Sequence, residues 1–174
     1  MTIAPVVVDP TQIARVTADG WLIYRDRRVR AALGRGGVRA DKQEGDGATP
    51  RGVLPLRRVF YRADRIAIPI TRLPREPITK ADGWCDDPAD PAYNCHIGLP
   101  YAARHEELWR ADQIYDLVIP LGWNDAPVVA NRGSAIFLHL ARSDYAPTDG
   151  CIALSLLDLG WLLAGGVTAI EVVG

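Results

Sequence analysis

The apolar residues of this chain come in short runs, and glycine or proline interrupts them every few residues. The 174 residues include 16 glycines and 13 prolines, and together these exceed average use. Glycine supplies backbone conformations with positive φ and proline fixes φ at about −65°, so both residues mark turns. The pattern therefore favours many short strands joined by turns over a bundle of helices.

The length and the charge balance exclude several classes of protein. The chain is long enough for one domain with a real core, and we expect residues 1–174 to form a single domain. Twenty Lys and Arg residues oppose 21 Asp and Glu residues, so the positive field that nucleic-acid binding requires is missing. Hydrophobic residues make up 48% of the chain, which is too apolar for a disordered protein.

The sequence shows no export signal and no membrane span. The first ten residues lack a basic segment, and their apolar run is shorter than the core of a signal peptide. The most apolar region, residues 154–170, is interrupted by Asp158 and by Gly165-Gly166, so it falls short of the ~18 residues that a span needs. Taken literally, this predicts a cytoplasmic protein, although an exported protein without its leader would look the same.

Hydrophobic patterning predicts a mostly β chain with one or two short helices. A long loop rich in proline and aspartate is expected over residues 72–100. One helix is expected over 103–115 and another over 156–164, which would begin after Ser155 and stop at Gly165. Strands are expected at 3–8, 21–24, 29–33, 53–56, 58–61, 116–121, 134–141 and 167–173.

Three cysteines leave at least one thiol without a partner in the chain. Cys85 and Cys95 lie ten residues apart and could close a small loop in an oxidising compartment, whereas in a reducing compartment both stay thiols. Cys151 is then the candidate free thiol. His96 and His105 have no metal-ligand spacing, so no metal site is expected.

The most informative segment runs over residues 133–154. His139 ends an apolar strand, and twelve residues later Cys151 follows Gly150. A neighbouring imidazole can take the proton of a thiol and stabilise the thiolate as an ion pair. Gly150 allows close backbone approach, so amide N–H groups here could face a developing oxyanion. A buried cysteine and a buried histidine are also common as core residues, so the spacing alone leaves both roles open.

Two motifs in the correct order resemble the YkuD-type L,D-transpeptidase catalytic domain. Residues 148–152, Thr-Asp-Gly-Cys-Ile, preceded by His139, resemble the family's strand-end histidine and its Ser/Thr-His-Gly-Cys run. Upstream, residues 44–56 (EGDGATPRGVLPL) are similar to the family's Gly…Thr-Pro-x-Gly-hydrophobic segment.

The resemblance implies a β-rich sandwich or barrel with a cysteine nucleophile under a cleft. The substrates would be peptidoglycan stem peptides that contain diaminopimelate, in the bacterial envelope or periplasm if the protein is exported. Cys151 would form an acyl-enzyme, and His139 would act first as base and then as acid. The amides of Gly150 and Cys151 would form the oxyanion hole, and Thr148 would support the loop or the imidazole. No cofactor is implied.

Two positions depart from the family's pattern. Asp149 stands where the family usually has His, and it would either orient His139 as a third catalytic residue or face solvent. Ala153 replaces the usual Arg or Asn, and the interval from His139 to Cys151 is shorter than is common. We therefore hypothesise a donor specificity that differs from the usual 3,3 link, such as a 1,3-type link.

Eight further residues are candidates for substrate binding. Arginines beside the His139 strand suit carboxylates, because a guanidinium group binds them bidentately, although each could also be a surface cation. Residues of the long loop are expected to form a lid or a cleft wall, or to pack the loop itself. The candidates are Arg132, Ser134, Arg142, Trp84, Asp86, Tyr93, Asn94 and Trp123.

Two other functions stay open at this point. A cytoplasmic L,D-carboxypeptidase that trims recycled stem peptides would fit the missing signal peptide. A peptidoglycan-binding module without chemistry would fit Asp149 and Ala153. The sequence does not fix the oligomeric state.

Overall fold

The computed structural model describes residues 9–174, which fold into short strands and one α-helix after a 3-10 turn at Pro10–Gln12. This confirms the expected mostly β class. The elements are β1 (Ile13–Thr17), β2 (Trp21–Tyr24), β3 (Arg27–Arg30), β4 (Val38–Arg39), β5 (Thr49–Pro50), β6 (Gly52–Pro55), β7 (Val59–Tyr61), β8 (Arg75–Pro77), β9 (Asp82–Cys85), β10 (His96–Gly98), β11 (His105–Glu107), β12 (Leu117–Pro120), β13 (Phe137–Leu140), β14 (Ile152–Leu154), α1 (Leu156–Ala164) and β15 (Ala169–Val173).

Two open five-stranded sheets form the body of the molecule. The first has the order β3-β2-β1-β15-β6 and the second the order β14-β13-β12-β7-β8. Smaller sheets of order β10-β9-β11 and β4-β5 lie outside them. Inward-facing side chains of both large sheets, such as Val16 and Leu138, pack into one core together with Leu159 and Leu162 of α1, as alternation along strands requires.

The helix α1 follows the capping pattern of the sequence. Ser155 is its N-cap, and the Ser155 hydroxyl accepts a hydrogen bond from the Asp158 N–H at 3.1 Å. Gly165 ends the helix but keeps a right-handed φ of −70°, and the left-handed residue is Gly166, with φ of +82°. The left-handed residue that follows the helix is therefore Gly166, one residue later than the predicted Gly165.

We expect Gly160→Ala to stabilise the protein. Gly160 is exposed inside α1, and a Cβ placed there meets nothing within 4 Å. Alanine loses less backbone entropy in a helix, so the free energy of unfolding should rise by about 0.5–1 kcal/mol. Gly166→Ala is the matched control, because its positive φ should make the same change destabilising by about 1 kcal/mol. Urea denaturation measures the free energy of unfolding of both variants. If both variants were stabilised or both destabilised, the difference predicted between Gly160 and Gly166 would be wrong.

The strands expected within residues 9–174 are confirmed in position, whereas one expected helix and one expected loop are not. The strand expected at 3–8 lies outside the described residues. The helix expected over 103–115 is wrong, since this segment forms β11 and turns, and β11 pairs with β9. The long loop over 72–100 is also wrong in part, because it contains β8, β9 and β10. In both segments, pairing with distant strands overrides local propensity.

Among residues 9–174, no helix is long and apolar enough to cross a membrane.

Candidate active site

The parallel pairing of β13 with β14 determines which residue of β13 lies beside Cys151. His139 is aligned with Ala153, so Cys151 lies just before β14 beside Phe137. The Phe137 N–H donates to the Cys151 Sγ at 3.3 Å, and the thiol donates to the Ala135 carbonyl at 3.3 Å. Because the sulfur is both donor and acceptor here, these bonds hold it as a thiol.

Thr148 shapes the turn that carries Cys151. Its hydroxyl donates to the Cys151 carbonyl at 2.7 Å and accepts from the Gly150 N–H at 3.1 Å. Gly150 has a φ of +131°, and a Cβ there would lie 2.7 Å from the Ala48 carbonyl oxygen. Thr148 therefore supports the loop, and the Gly150 amide that was expected in the oxyanion hole is bonded inside the turn.

His139 is buried and has a defined tautomer. Its Nδ1 lies 2.9 Å from the Leu140 carbonyl oxygen, which can only accept, so Nδ1 carries the hydrogen and Nε2 keeps its lone pair. The Tyr115 ring meets the imidazole edge to face, with the centroids 5.4 Å apart. His139 and Cys151 line the same cleft, whose volume is about 630 Å³.

Burial favours the neutral form of both side chains. Burial raises the pKa of Cys151 to about 12, and the nearby carboxylates of Glu106 and Asp149 act in the same direction. Burial lowers the pKa of His139 to about 4. At neutral pH the resting pair is therefore a thiol and an imidazole, rather than the thiolate–imidazolium ion pair that the sequence suggested.

The cleft wall carries charges of both signs. Its cationic side chains are Arg35, Lys42, Arg110 and Arg142, and its carboxylates are Glu44, Asp86, Glu106 and Asp149. Lys42 is buried and forms an ion pair with Asp46, four residues later. Asp149 is an exposed rim residue whose carboxylate lies 2.6 Å from Arg35, so it pairs with this arginine rather than with His139.

The cleft includes three of the eight predicted binding residues: Ser134, Asp86 and Arg142. Arg132 stacks on the Trp123 ring, 5.6 Å from its centroid, and neither of these two residues lines the cleft. The other predicted residues do not line the cleft either: Trp84, Tyr93 and Asn94.

Asn94 and Tyr93 brace the backbone that holds the thiol. The Asn94 Oδ1 accepts from the Ala135 N–H at 3.0 Å and from the Trp84 Nε1 at 3.1 Å. The Asn94 Nδ2 donates to the Trp123 carbonyl at 3.0 Å. The Tyr93 hydroxyl accepts from the Gly133 N–H at 3.1 Å and donates to Glu44. These residues therefore fix the carbonyl of residue 135, which accepts the thiol hydrogen bond, instead of forming a lid.

The sequence missed Glu106 and Tyr115, which are prominent in the cleft. The Tyr115 hydroxyl donates to the Glu106 carboxylate at 2.6 Å. The helix expected over 103–115 gave no sign that Glu106 would line the cleft while its neighbours His105 and Glu107 would not. Reading residues 105–107 as a strand would have separated Glu106 from its two neighbours, because successive side chains alternate between faces.

The remaining cysteines are free thiols, with Cys85 buried and Cys95 exposed. Within residues 9–174, no group of three or more His, Cys, Asp or Glu side chains is arranged to hold a metal ion.

Comparison with known proteins identifies a family for this chain. A family model described as YkuD, the L,D-transpeptidase catalytic domain, matches residues 5–164. Among solved structures, the chain is similar to L,D-transpeptidase 1 of Mycobacterium tuberculosis, with 15% sequence identity and a TM-score of 0.39. That match covers 93% of this chain and 61% of the other, so the chain spans about three fifths of its length. No curated protein matches the chain.

Proposed function

Since the chain belongs to the YkuD family of L,D-transpeptidase catalytic domains, we propose that it is a cysteine acyltransferase of peptidoglycan stem peptides. Cys151 is the nucleophile and His139 the general base. The observation that carries this assignment is the fixed tautomer of His139, whose Nε2 lone pair is kept by the bond from Nδ1 to Leu140 in the cleft that also contains Cys151.

The first half of the reaction forms a thioester. The Cys151 Sγ attacks the donor carbonyl while its proton moves to the His139 Nε2, so no free thiolate accumulates. The amide N–H of Cys151 is the proposed donor to the oxyanion. When the intermediate collapses, the C–N bond breaks and the imidazolium gives its proton to the leaving amine.

The second half of the reaction transfers the acyl group. The side-chain amine of a second stem peptide attacks the thioester, and His139 accepts the amine proton. The C–S bond breaks, and the proton returns to the Cys151 sulfur. If water attacks instead of the amine, the product is a shortened stem peptide, which is the carboxypeptidase outcome. We place cross-linking in the cell envelope, where the polymer lies.

The mixed charge of the cleft fits stem peptides, which carry ammonium and carboxylate groups. Glu44 and Asp86 suit an ammonium group, and Arg142 suits a carboxylate. Ala153 lines the cleft and is aligned with His139, so its small side chain leaves space beside the base. This space supports the proposal of a non-standard donor bond, such as the one that gives a 1,3-type link.

Incubation with defined tetrapeptide muropeptides tests the proposal, with the products identified by mass spectrometry and Cys151→Ala as control. Dimers that require Cys151 would support transpeptidation, and 1,3-linked dimers would support the donor specificity. If 3,3-linked dimers were the sole product, the specificity proposal would fail. Trimmed monomers would indicate a carboxypeptidase, and unchanged substrate would indicate a binding module.

A further inference from the structure

Tyr115 contacts both the proposed base, His139, and Phe137, whose backbone N–H binds the proposed nucleophile. Its ring meets the His139 ring at 5.4 Å and 70°, and the Phe137 ring at 5.7 Å and 79°. Phe137 in turn donates its N–H to the Cys151 sulfur. Tyr115 is buried, and the reaction proposed above gives it no chemical step.

Two further contacts fix the orientation of Tyr115. Its hydroxyl donates to Glu106 at 2.6 Å. The Arg110 guanidinium lies over its ring, 5.1 Å from the centroid, and is itself held by two hydrogen bonds of 2.8 and 2.7 Å to Asp112. Among residues 9–174, the only hydrogen bond of the His139 imidazole is the one from Nδ1 to Leu140, which fixes one atom and leaves the ring able to tilt. Contact with an immobile Tyr115 ring removes that freedom.

Glu106 is the charged group with the largest effect on the thiol. Besides burial, the pKa of Cys151 is raised by Glu106 and Asp149 and lowered by Lys42 and by the Phe137 N–H. Burial raises the pKa of Glu106; Asp86 and Asp149 add to this shift, whereas Tyr115 and Arg110 oppose it. The charges that face His139 are those of Arg110, Asp112 and Arg142.

We propose that Glu106 and Tyr115 form a positioning pair for the proposed acyl transfer, on which this inference rests. The Tyr115 ring holds the imidazole of His139 in the plane that reaches the thiol. The Glu106 carboxylate anchors the Tyr115 hydroxyl. As a negative charge that lines the same cleft as Cys151, it also disfavours the thiolate before substrate binds.

Alkylation with iodoacetamide between pH 6 and 11 tests the effect of Glu106 on the thiol. Peptide mass spectrometry follows Cys151, and the exposed Cys95 serves as an internal reference. Because the Cys151 pKa of about 12 lies above this range, rates are compared at each pH. We expect Glu106→Gln to speed the alkylation of Cys151 about tenfold at every pH, as a pKa lower by about one unit requires. Glu107→Gln is the matched control, because Glu107 lies next along β11, is exposed and does not line the cleft.

Superimposable profiles for the wild type and Glu106→Gln would overturn the role of Glu106, as would an equal shift in Glu107→Gln. If Glu106→Gln does not fold, Glu106→Leu removes the same charge. This assay needs no peptidoglycan. A protein that shows the shift but makes no product would therefore contradict the proposed function and leave the electrostatic role of Glu106 in place.

The role of the Tyr115 ring is tested by comparing Tyr115→Phe with Tyr115→Leu. Nuclear magnetic resonance of protein labelled with ¹⁵N-histidine reports the His139 tautomer without substrate. We expect Tyr115→Phe, which keeps the ring, to keep sharp His139 imidazole signals. Tyr115→Leu should broaden these signals as the imidazole tilts, and should show a kcat about tenfold lower at unchanged KM. Equally sharp His139 signals and an unchanged kcat in Tyr115→Leu would overturn the positioning role.

Discussion

His139→Gln is expected to lower kcat/KM for acyl transfer at pH 7 by about 10³-fold. With a Cys151 pKa of about 12, only about one thiol in 10⁵ is ionised at pH 7. Attack then depends on a base that takes the proton as the C–S bond forms, and such bases contribute about 10²–10⁴-fold. Glutamine has a similar size but cannot accept and return the proton.

The same variant should change the pH dependence of the reaction. Without its base, the enzyme depends on thiolate formed by solvent, so its rate should rise about tenfold for each pH unit above 7. The wild type has a base with a pKa of about 4, which is neutral at every pH above about 5. Its acid limb should therefore lie near that pKa, and its activity should not fall between pH 7 and 5.

His105→Gln is the matched control for this prediction. The His105 Nδ1 also lies beside a backbone carbonyl, that of Ala103 at 2.7 Å, but His105 does not line the cleft. Rates are measured from muropeptide products separated by chromatography, with circular dichroism as a check on folding. Activity of His139→Gln within threefold of the wild type, or an equal loss in His105→Gln, would contradict the role of His139.

A neutral resting pair distinguishes this site from cysteine enzymes that store a thiolate beside an imidazolium. The difference has a local cause, because the Cys151 sulfur lies in a buried position with backbone groups as its hydrogen-bond partners. A buried thiolate would also face the Glu106 carboxylate. The proposed chemistry therefore couples proton transfer to attack, which makes the orientation of His139 more important than the charge of the thiol.

Local signals predicted the parts of the fold that depend on neighbours in sequence. The Ser155 cap and Asp158 located the start of α1, and alternating or continuous apolar residues located β2, β12 and β13. The helix predicted over residues 103–115 was wrong, because the run of charged and aromatic residues there is also typical of helices. The strand β11 exists only through its pairing with β9, which lies about twenty residues earlier in the chain.

In the candidate site too, residues close in sequence were predicted, and residues held by distant contacts were not. The motif placed Cys151, His139 and Thr148 in one cleft, because the strand and the turn that position them are close in sequence. Asn94 was expected in a lid, but it bonds to the N–H of Ala135, which lies 41 residues later. Tyr115 reaches the site through its contact with the His139 ring, 24 residues later, and Glu106 through its pairing with Trp84, 22 residues earlier. Contacts of this kind follow from the fold and have no local sequence pattern.

Gly34→Ala is expected to destabilise the protein more than either Gly37→Ala or Gly166→Ala. A Cβ at position 34 would lie 2.2 Å from the Gly47 carbonyl oxygen and 2.9 Å from the Gly150 Cα. Both obstacles are backbone atoms, so no side-chain rotation relieves the clash. We expect the free energy of unfolding to fall by about 3 kcal/mol, at the upper end for an overpacked site.

Gly37→Ala separates this packing effect from backbone strain. Gly37 has a φ of +76°, and a Cβ added there would meet nothing within 4 Å, so alanine there should cost only about 1 kcal/mol. Urea denaturation compares the two variants, and equal losses would show that packing at Gly34 is not the cause.

Gly34 also bridges Thr148 in the parallel sense and donates its N–H to the Thr49 hydroxyl at 2.9 Å. A shift of this backbone therefore moves the turn that carries Cys151, so the folded fraction of Gly34→Ala should also lose acyl-transfer activity, whereas Gly37→Ala should keep it.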